Sequence, residues 1–317
     1  MEQGMSATQT LIARAAERRA ERKRDDAGRG IVSTLDLQRT RTRVGLVVIA
    51  VLALAVLAIA SLGPLLWLAK SSVSTTQDIL TDPFGWWPSG IQWHNLSEAW
   101  TRLGIGGYFL NTIWVVLGCW FFGLLVALTG AYTIAILKPK WAPLLSGAVL
   151  VTLFIPGVVS LVALYVTVLD LPLVHLNLIN TFWAVWLPSA ANAFNIMLLS
   201  RVFAGLPQDI FEAARIDGAS NLRIFWSILI PMARPTLGVV SLLTVVGAWK
   251  EFLWPLLVLP DPSLQPLSVG IQKVAGTNDL ALVLAGMFIS VILPLVMFLC
   301  FRRQFLDNAG LGGAIKG

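Results

Sequence analysis

Charge is what this chain has least of. Only 13% of its 317 residues are Asp, Glu, Lys or Arg, 56% are hydrophobic, and the mean hydropathy is +0.77. A water-soluble domain of this length cannot hide so much apolar surface, so the composition excludes a soluble fold and predicts a polytopic membrane protein. Cysteine is nearly absent as well. Cys119 and Cys300 each lie in an apolar stretch, with no CxxC pair and no spacing suited to metal, so they read as packing residues. The two histidines, His94 and His175, both fall in loops. No G-x-x-x-x-G-K-[ST] loop occurs, so the chain cannot cradle ATP phosphates in the P-loop manner, and neither G-x-S-x-G nor H-E-x-x-H is present. An enzyme reading therefore has no constellation behind it. The net charge of +6 and pI of about 9.7 would suggest nucleic acid in a soluble protein, but here the placement of the charges decides, and no nucleic-acid partner is expected.

What is present is a series of long apolar runs. Six are of bilayer length, over about 44 to 69, 108 to 137, 141 to 169, 179 to 203, 234 to 259 and 280 to 301, the third with Pro156-Gly157 inside it. The expected fold class is thus an all-α membrane protein with six transmembrane helices. Residues 1 to 43 form a basic tail and 302 to 317 a second tail, flanking a membrane domain over 44 to 301. The leading tail mixes Arg14, Arg18, Arg19, Arg22, Lys23 and Arg24 with acidic residues, and reads as a cytoplasmic anchor, not as a cleaved signal peptide. Lys138, Lys140, Arg201, Arg215, Arg223, Arg234, Arg302 and Arg303 alternate with runs poor in Lys and Arg, which places both termini and the loop near 204 to 233 in the cytoplasm. Trp86, Trp87, Trp93 and Trp100, in the polar loop on the opposite side, read as interfacial anchors.

The loop between the fourth and fifth spans is the polar centre of the chain. Pro207, Asp209 and Glu212 suit the start of a short helix, where a missing N–H costs nothing and negative charge is favoured. Ile210, Ala213, Ala214 and Asp217 fall at helical spacing on one face, and Glu212 and Arg215 pair on another. Gly218 ends this helix, Ser220 caps a second one through Ile224, Phe225 and Ile228, and Pro231 is expected to interrupt it. Asp217 opposes the helix dipole and calls for a partner. By these residues alone the hairpin could equally lie on the membrane surface.

Within the spans the notable polar groups are Asn192 and Asn195, and Lys250 beside Glu251 about two thirds along the fifth span. A charge at mid-bilayer costs about 2.5 to 3.5 kcal/mol on insertion scales, so the last two must meet a cavity, a neighbouring helix or the interface. A structural pair and a solute path remain open for them, and the asparagines suit contact between helices as well as a path.

Glu212-Ala213-Ala214, then Gly218, then Ile228-x-Ile230-Pro231 resembles the E-A-A-x3-G-x9-I-x-L-P signature of the membrane subunits of binding-protein-dependent ABC importers, with Ile230 in place of leucine. The fuller string over 212 to 220 is similar to the carbohydrate branch, of the maltose-permease G-subunit type. Phe109-Leu110-Asn111-Thr112, Ile155-Pro156-Gly157-Val158, Leu178-Ile179-Asn180-Thr181, residues 247 to 252 and residues 313 to 317 agree, although Lys250 departs from the usual asparagine. The resemblance implies the type I importer permease fold in the bacterial cytoplasmic (inner) membrane, moving a sugar or related solute by alternating access. It implies a coupling helix in which Glu212, Ala213, Ala214, Arg215, Asp217 and Gly218 dock an ATPase, and a translocation path near Asn192, Asn195, Lys250 and Glu251. The partners it implies are a second permease, two ATP-binding cassette subunits that carry ATP and Mg, and an extracellular or periplasmic solute-binding protein meeting the loop over 260 to 279. No cofactor is expected in this chain. The rival reading is a stand-alone secondary transporter or channel with a passive surface hairpin.

Overall fold

The computed structural model describes residues 40 to 306; the tails expected over 1 to 43 and 302 to 317 lie mostly outside them, as does the segment 313 to 317. The regular elements among the described residues are all helical, apart from an isolated antiparallel bridge between Leu171 and Leu176. The chain divides into two units, one ending at Trp67 and one beginning at Leu68. The described part of the first is residues 40 to 67 of helix α1 (Thr40–Ser72), most of whose Val, Leu and Ile side chains are exposed. A helix that is apolar on every face is suited to lipid.

The second unit holds the remaining helices. After α2 (Thr76–Thr81) and α3 (His94–Arg102) comes α4 (Ile105–Tyr132), prolonged by a π-turn over Thr133–Leu137. The apolar stretch Ile105–Leu137 has 33 residues, which at 1.5 Å per residue is about 50 Å, longer than the hydrocarbon core. Then follow α5 (Ala142–Thr152), α6 (Gly157–Leu169), α7 (Trp183–Ala190), α8 (Ala193–Ala204), α9 (Gln208–Ile216) and α10 (Asn221–Ile224). A second π-turn (Phe225–Leu229) joins α10 to α11 (Ile230–Lys250), and α12 (Leu253–Val258), α13 (Leu267–Ala275) and α14 (Leu280–Leu306) complete the unit.

Three of the expected spans take a different shape. The third is broken at residues 153 to 156, where α5 and α6 meet at 112°. Pro156 cannot donate a backbone bond, and the residue before a proline is driven out of the helical region. The fourth is broken at Ala191 and Asn192, whose ψ angles of 46° and 106° are not helical. The fifth begins at Asn221, not near 234, and ends at Lys250, where Glu251 turns extended with ψ 126°. Pro231 does not interrupt the helix, because the π-turn before it carries an Ile230 N–H to Phe225 O bond that opens the backbone where the ring would clash. By length and composition, three described helices suffice to cross a membrane, or four if the bent pair counts as one.

Side chains pack in three clusters. Phe203, Phe211, Ile224, Leu229 and Val240 close with Ala127, Ala131, Tyr132 and Ile136 of the α4 end. Val115 and Cys119, further back on α4, pack with Val168, Leu178, Val185, Trp254 and Val258. The third cluster joins Ala99, Leu103, Ile105, Leu267 and Ala285. Helix α4 runs unbroken through the first two. Its neighbours are broken at residues 153 to 156, at Ala191 and Asn192, and at Glu251.

Candidate functional site

Helix α9 is short, and one aromatic side chain fixes it. Phe211 is fully buried in the first cluster, and Ala214 lies against the same core one turn on. The inward face is therefore Phe211 with Ala214, not the expected stripe of Ile210, Ala213, Ala214 and Asp217. That stripe was one position out because Phe211, a large apolar residue between two polar neighbours, outweighs the small ones in buried area. Pro207 stands at the helix N-cap with φ −57°, just before the first turn.

The helix ends as the sequence indicated, and the hydrogen bonds show why. Gly218 has φ +79°, its N–H donates to Arg215 O at 3.0 Å, and the Ala219 N–H donates to Ala214 O at 2.9 Å. This is a Schellman motif, which satisfies carbonyls at the helix end and needs a residue tolerant of positive φ. Ser220 Oγ then accepts from Arg223 N at 3.3 Å to start α10. The Tyr132 hydroxyl donates to Asn221 O at 3.2 Å, and its ring meets Phe225 edge-on with centroids 5.3 Å apart. The hairpin is thus built into the end of α4 and is not a passive flap.

Outside this anchorage the knob is bare. Glu212, Ala213, Arg215, Asp217 and Gly218 are exposed, and Ile216 is 87% and Leu222 72% exposed. The expected Glu212 to Arg215 pair does not form within 4 Å, and no side-chain bond to Asp217 occurs among the described residues. Ile216, Leu222 and Trp226 were not singled out in the sequence. Their exposure in a polar loop is visible only once Phe211 has set the rotation of α9.

The other candidate residues separate into two kinds. Asn192 is exposed and caps α8, its Oδ1 accepting from Asn195 N at 3.0 Å. Asn195 is buried, and its Nδ2 donates to Thr244 Oγ1 at 3.0 Å, linking α8 to α11. Thr244 in turn donates to Val240 O at 2.9 Å and packs against Gly123 of α4. The two asparagines therefore do not form one polar face. Lys250 ends α11 and is exposed; Glu251, also exposed, accepts from Trp254 N at 3.3 Å and so starts α12. No ion pair joins them. They stand at a helix break, not inside a continuous span as expected, and irregular backbone at membrane depth is tolerated where it is buried in protein or lines a water-filled cavity.

Near α2 and α13 two carboxylates are held by hydrogen bonds from side chains and backbone. Hydrogen bonds from the Ser89 hydroxyl and then from Thr75 and the Ser89 N–H hold the Asp78 carboxyl below its ordinary range. The Ser263 N–H does the same for Asp261, at 2.8 Å. Among the described residues no group of three or more His, Cys, Asp or Glu side chains is placed to hold a metal ion.

The site thus combines apolar helices broken at several points with an anchored and exposed knob. Comparison with known proteins gives the family. The chain belongs to the binding-protein-dependent transport system inner membrane components, whose family model matches residues 120–304. It is similar to the diacetylchitobiose uptake system permease protein NgcG of Streptomyces coelicolor, 30% identical over 255 residues that cover 78% of this chain and 82% of that one. It is 32% identical over 238 residues to the melibiose/raffinose/stachyose import permease protein MelC of Bacillus subtilis, covering 73% and 83%. The fold is similar to that of a bacterial ABC transporter involved in import of the acidic polysaccharide alginate, with a TM-score of 0.73 at 22% identity, covering 84% of this chain and 98% of that one. The chain is therefore a multi-pass inner-membrane subunit of an ABC importer, not itself an enzyme, and works with ATPase and solute-binding partners. The rival reading of a stand-alone transporter is set aside by this membership.

Proposed function

We propose that this subunit carries a sugar from an extracellular binding protein into the cytoplasm, and that α9 with its Schellman turn is the coupling helix docked by an ATPase subunit. The observation that carries the reading is the knob itself: Phe211 and Tyr132 fix it to α4, while Glu212, Ala213, Arg215, Asp217 and Gly218 face outward. A docking element must be both rigidly attached and free on its outer side. Glu212, Arg215 and Asp217 supply orienting charge, Ala213 and Gly218 permit close approach, and Ala214 is the inward support. Asp217, unpartnered at the helix end, is the residue that the ATPase would satisfy.

In this reading the chain crosses the membrane six times between cytoplasmic termini, the membrane domain spanning 44 to 301 and the coupling loop about 204 to 233. It pairs with a second, different permease, and two cassette subunits bind ATP and Mg. The path runs past the helix breaks, where Asn192, Lys250 and Glu251 are exposed, and Asn195 braces it through Thr244. Discontinuous helices near the midplane are where transporters hold solute. The sugar assignment rests on relatives named for diacetylchitobiose and for melibiose, raffinose and stachyose. Co-purification tests the whole: an ATPase subunit that stays bound, with ATP-dependent sugar uptake in vesicles, is the expected result, and uptake driven by an ion gradient without ATP would overturn it.

A further inference from the structure

The α7–α8 and α11–α12 breaks each separate helices that pack in different clusters. Ala184 and Val185 of α7 lie with Val115, whereas Ile196, Leu199 and Phe203 of α8 lie with Phe211. Likewise Trp254 and Val258 of α12 belong with Val115, while Ala233 and Val240, the buried side chains of α11, belong with Phe211. A side-chain hydrogen bond joins α8 to α11 close to both breaks. Asn195 stands in the first turn of α8, where its N–H donates to Asn192 Oδ1 at 3.0 Å, and its Nδ2 donates to Thr244 Oγ1 at 3.0 Å. Thr244 donates in turn to Val240 O at 2.9 Å, so its hydroxyl both gives and receives. Its methyl group faces α4, where a Cβ on Gly123 would stand 3.5 Å away. Thr244 lies about 10 Å along α11 from the break at Glu251, and the polar groups exposed at the two breaks are Asn192, Lys250 and Glu251.

Cohesion alone does not call for this bond. One hydrogen bond between membrane helices adds little beside a core that holds Leu199, Phe203, Phe211 and Val240, and an apolar pair would press α8 and α11 together as well. What a directional contact adds is register: the Asn195 amide reaches one hydroxyl, on one turn of α11. Asn195 is also gripped at the break itself, through the cap that Asn192 supplies. A change in that cap therefore bears on the bond to Thr244. We propose that Asn195 and Thr244 are positioning residues of the transport cycle, tying α8 to α11 so that the breaks at Asn192 and Glu251 change shape together. This rests on the reading that the solute path runs past those breaks. Were one break to open without the other, ATP would be hydrolysed with no solute moved.

The experiment uses the whole importer in vesicles and reads sugar moved per ATP hydrolysed, the probe being whichever of radiolabelled melibiose, raffinose and diacetylchitobiose the wild type accumulates. Loss of folded protein lowers uptake and hydrolysis alike, so a bond that merely holds helices together leaves this ratio unmoved. Thr244→Val keeps the shape of the side chain but has no hydroxyl, and it is expected to lower the ratio about fivefold, as is Asn195→Leu. The double variant should be no worse than the worse single one, since all three lack the same bond. Thr244→Ser keeps the hydroxyl and should retain the wild-type ratio. If Asn195→Leu does not assemble, the Thr244 pair of variants decides alone. An unchanged ratio in Thr244→Val, the same loss in Thr244→Ser, or losses that multiply in the double variant would overturn the tie and leave the importer reading intact. A wild type that accumulates none of the three sugars with ATP removes the sugar path on which the tie rests.

Discussion

The two ends of α4 are held in different ways. Around Phe211 the contacts are between large apolar side chains, and one π-turn prolongs α4 while another joins α10 to α11. Around Trp254 the helices are short, and asparagines and threonines join them to backbone: Trp254 Nε1 donates to Ala184 O at 2.9 Å, and Asn111, Thr112 and Asn180 hold residues 258 to 267. The first arrangement resists shear as a block. The second fixes particular stretches of backbone one hydrogen bond at a time.

Four predictions probe this contrast. The largest effect is expected from Gly218→Pro, which cannot adopt φ +79°: ATP-driven uptake in vesicles should be abolished while the protein still reaches the membrane, and normal uptake would count against docking through the knob. Next is Phe211→Ala, which empties a fully buried site and should cost about 3 to 5 kcal/mol, read as lost thermal stability and loss of the bound ATPase. Replacing Lys250 and Glu251 together by Leu should change the apparent solute affinity by about tenfold, or about 1.4 kcal/mol, if the break lines the path. An unchanged rate and solute preference would make them structural. The smallest effect concerns pH. Asp78 and Asp261 have folded-state pKa values below the ordinary one, so their stabilisation is present above the ordinary carboxylate pKa and is lost only as pH falls through the lowered values. Amide exchange at residues 89 and 263, corrected for its intrinsic pH dependence, should therefore be flat between about pH 7 and 5; protection lost within that window would show that these carboxylates do not hold the loops.

Much of the Phe211 end was legible in the sequence, because helix starts, glycine stops and apolar spacing are local signals. Gly218 and Ser220 act as their types and positions indicated. What was misread there is rotational: the weight of Phe211 set the inward face, and the π-turn before Pro231 removed the expected interruption. At the other end, apolar runs marked the spans but not their breaks, since a run of Leu, Val and Ala reads alike whether straight or bent. Pro156 was visible, whereas the break at Asn192 depends on its own side chain capping Asn195. The Asn111 and Asn180 clamps join residues dozens to more than a hundred positions apart, and nothing periodic in a sequence announces such a pair.

Helix α4 is the member common to both regimes, an unbroken rod of about 50 Å fastened to the knob at one end and to the clamped segment near the other. A rod that pivots near its middle works as a lever. A tilt of about 10° about its midpoint would carry each end roughly 4 Å, in opposite directions, so a shove at Tyr132 that narrows one mouth would widen the other.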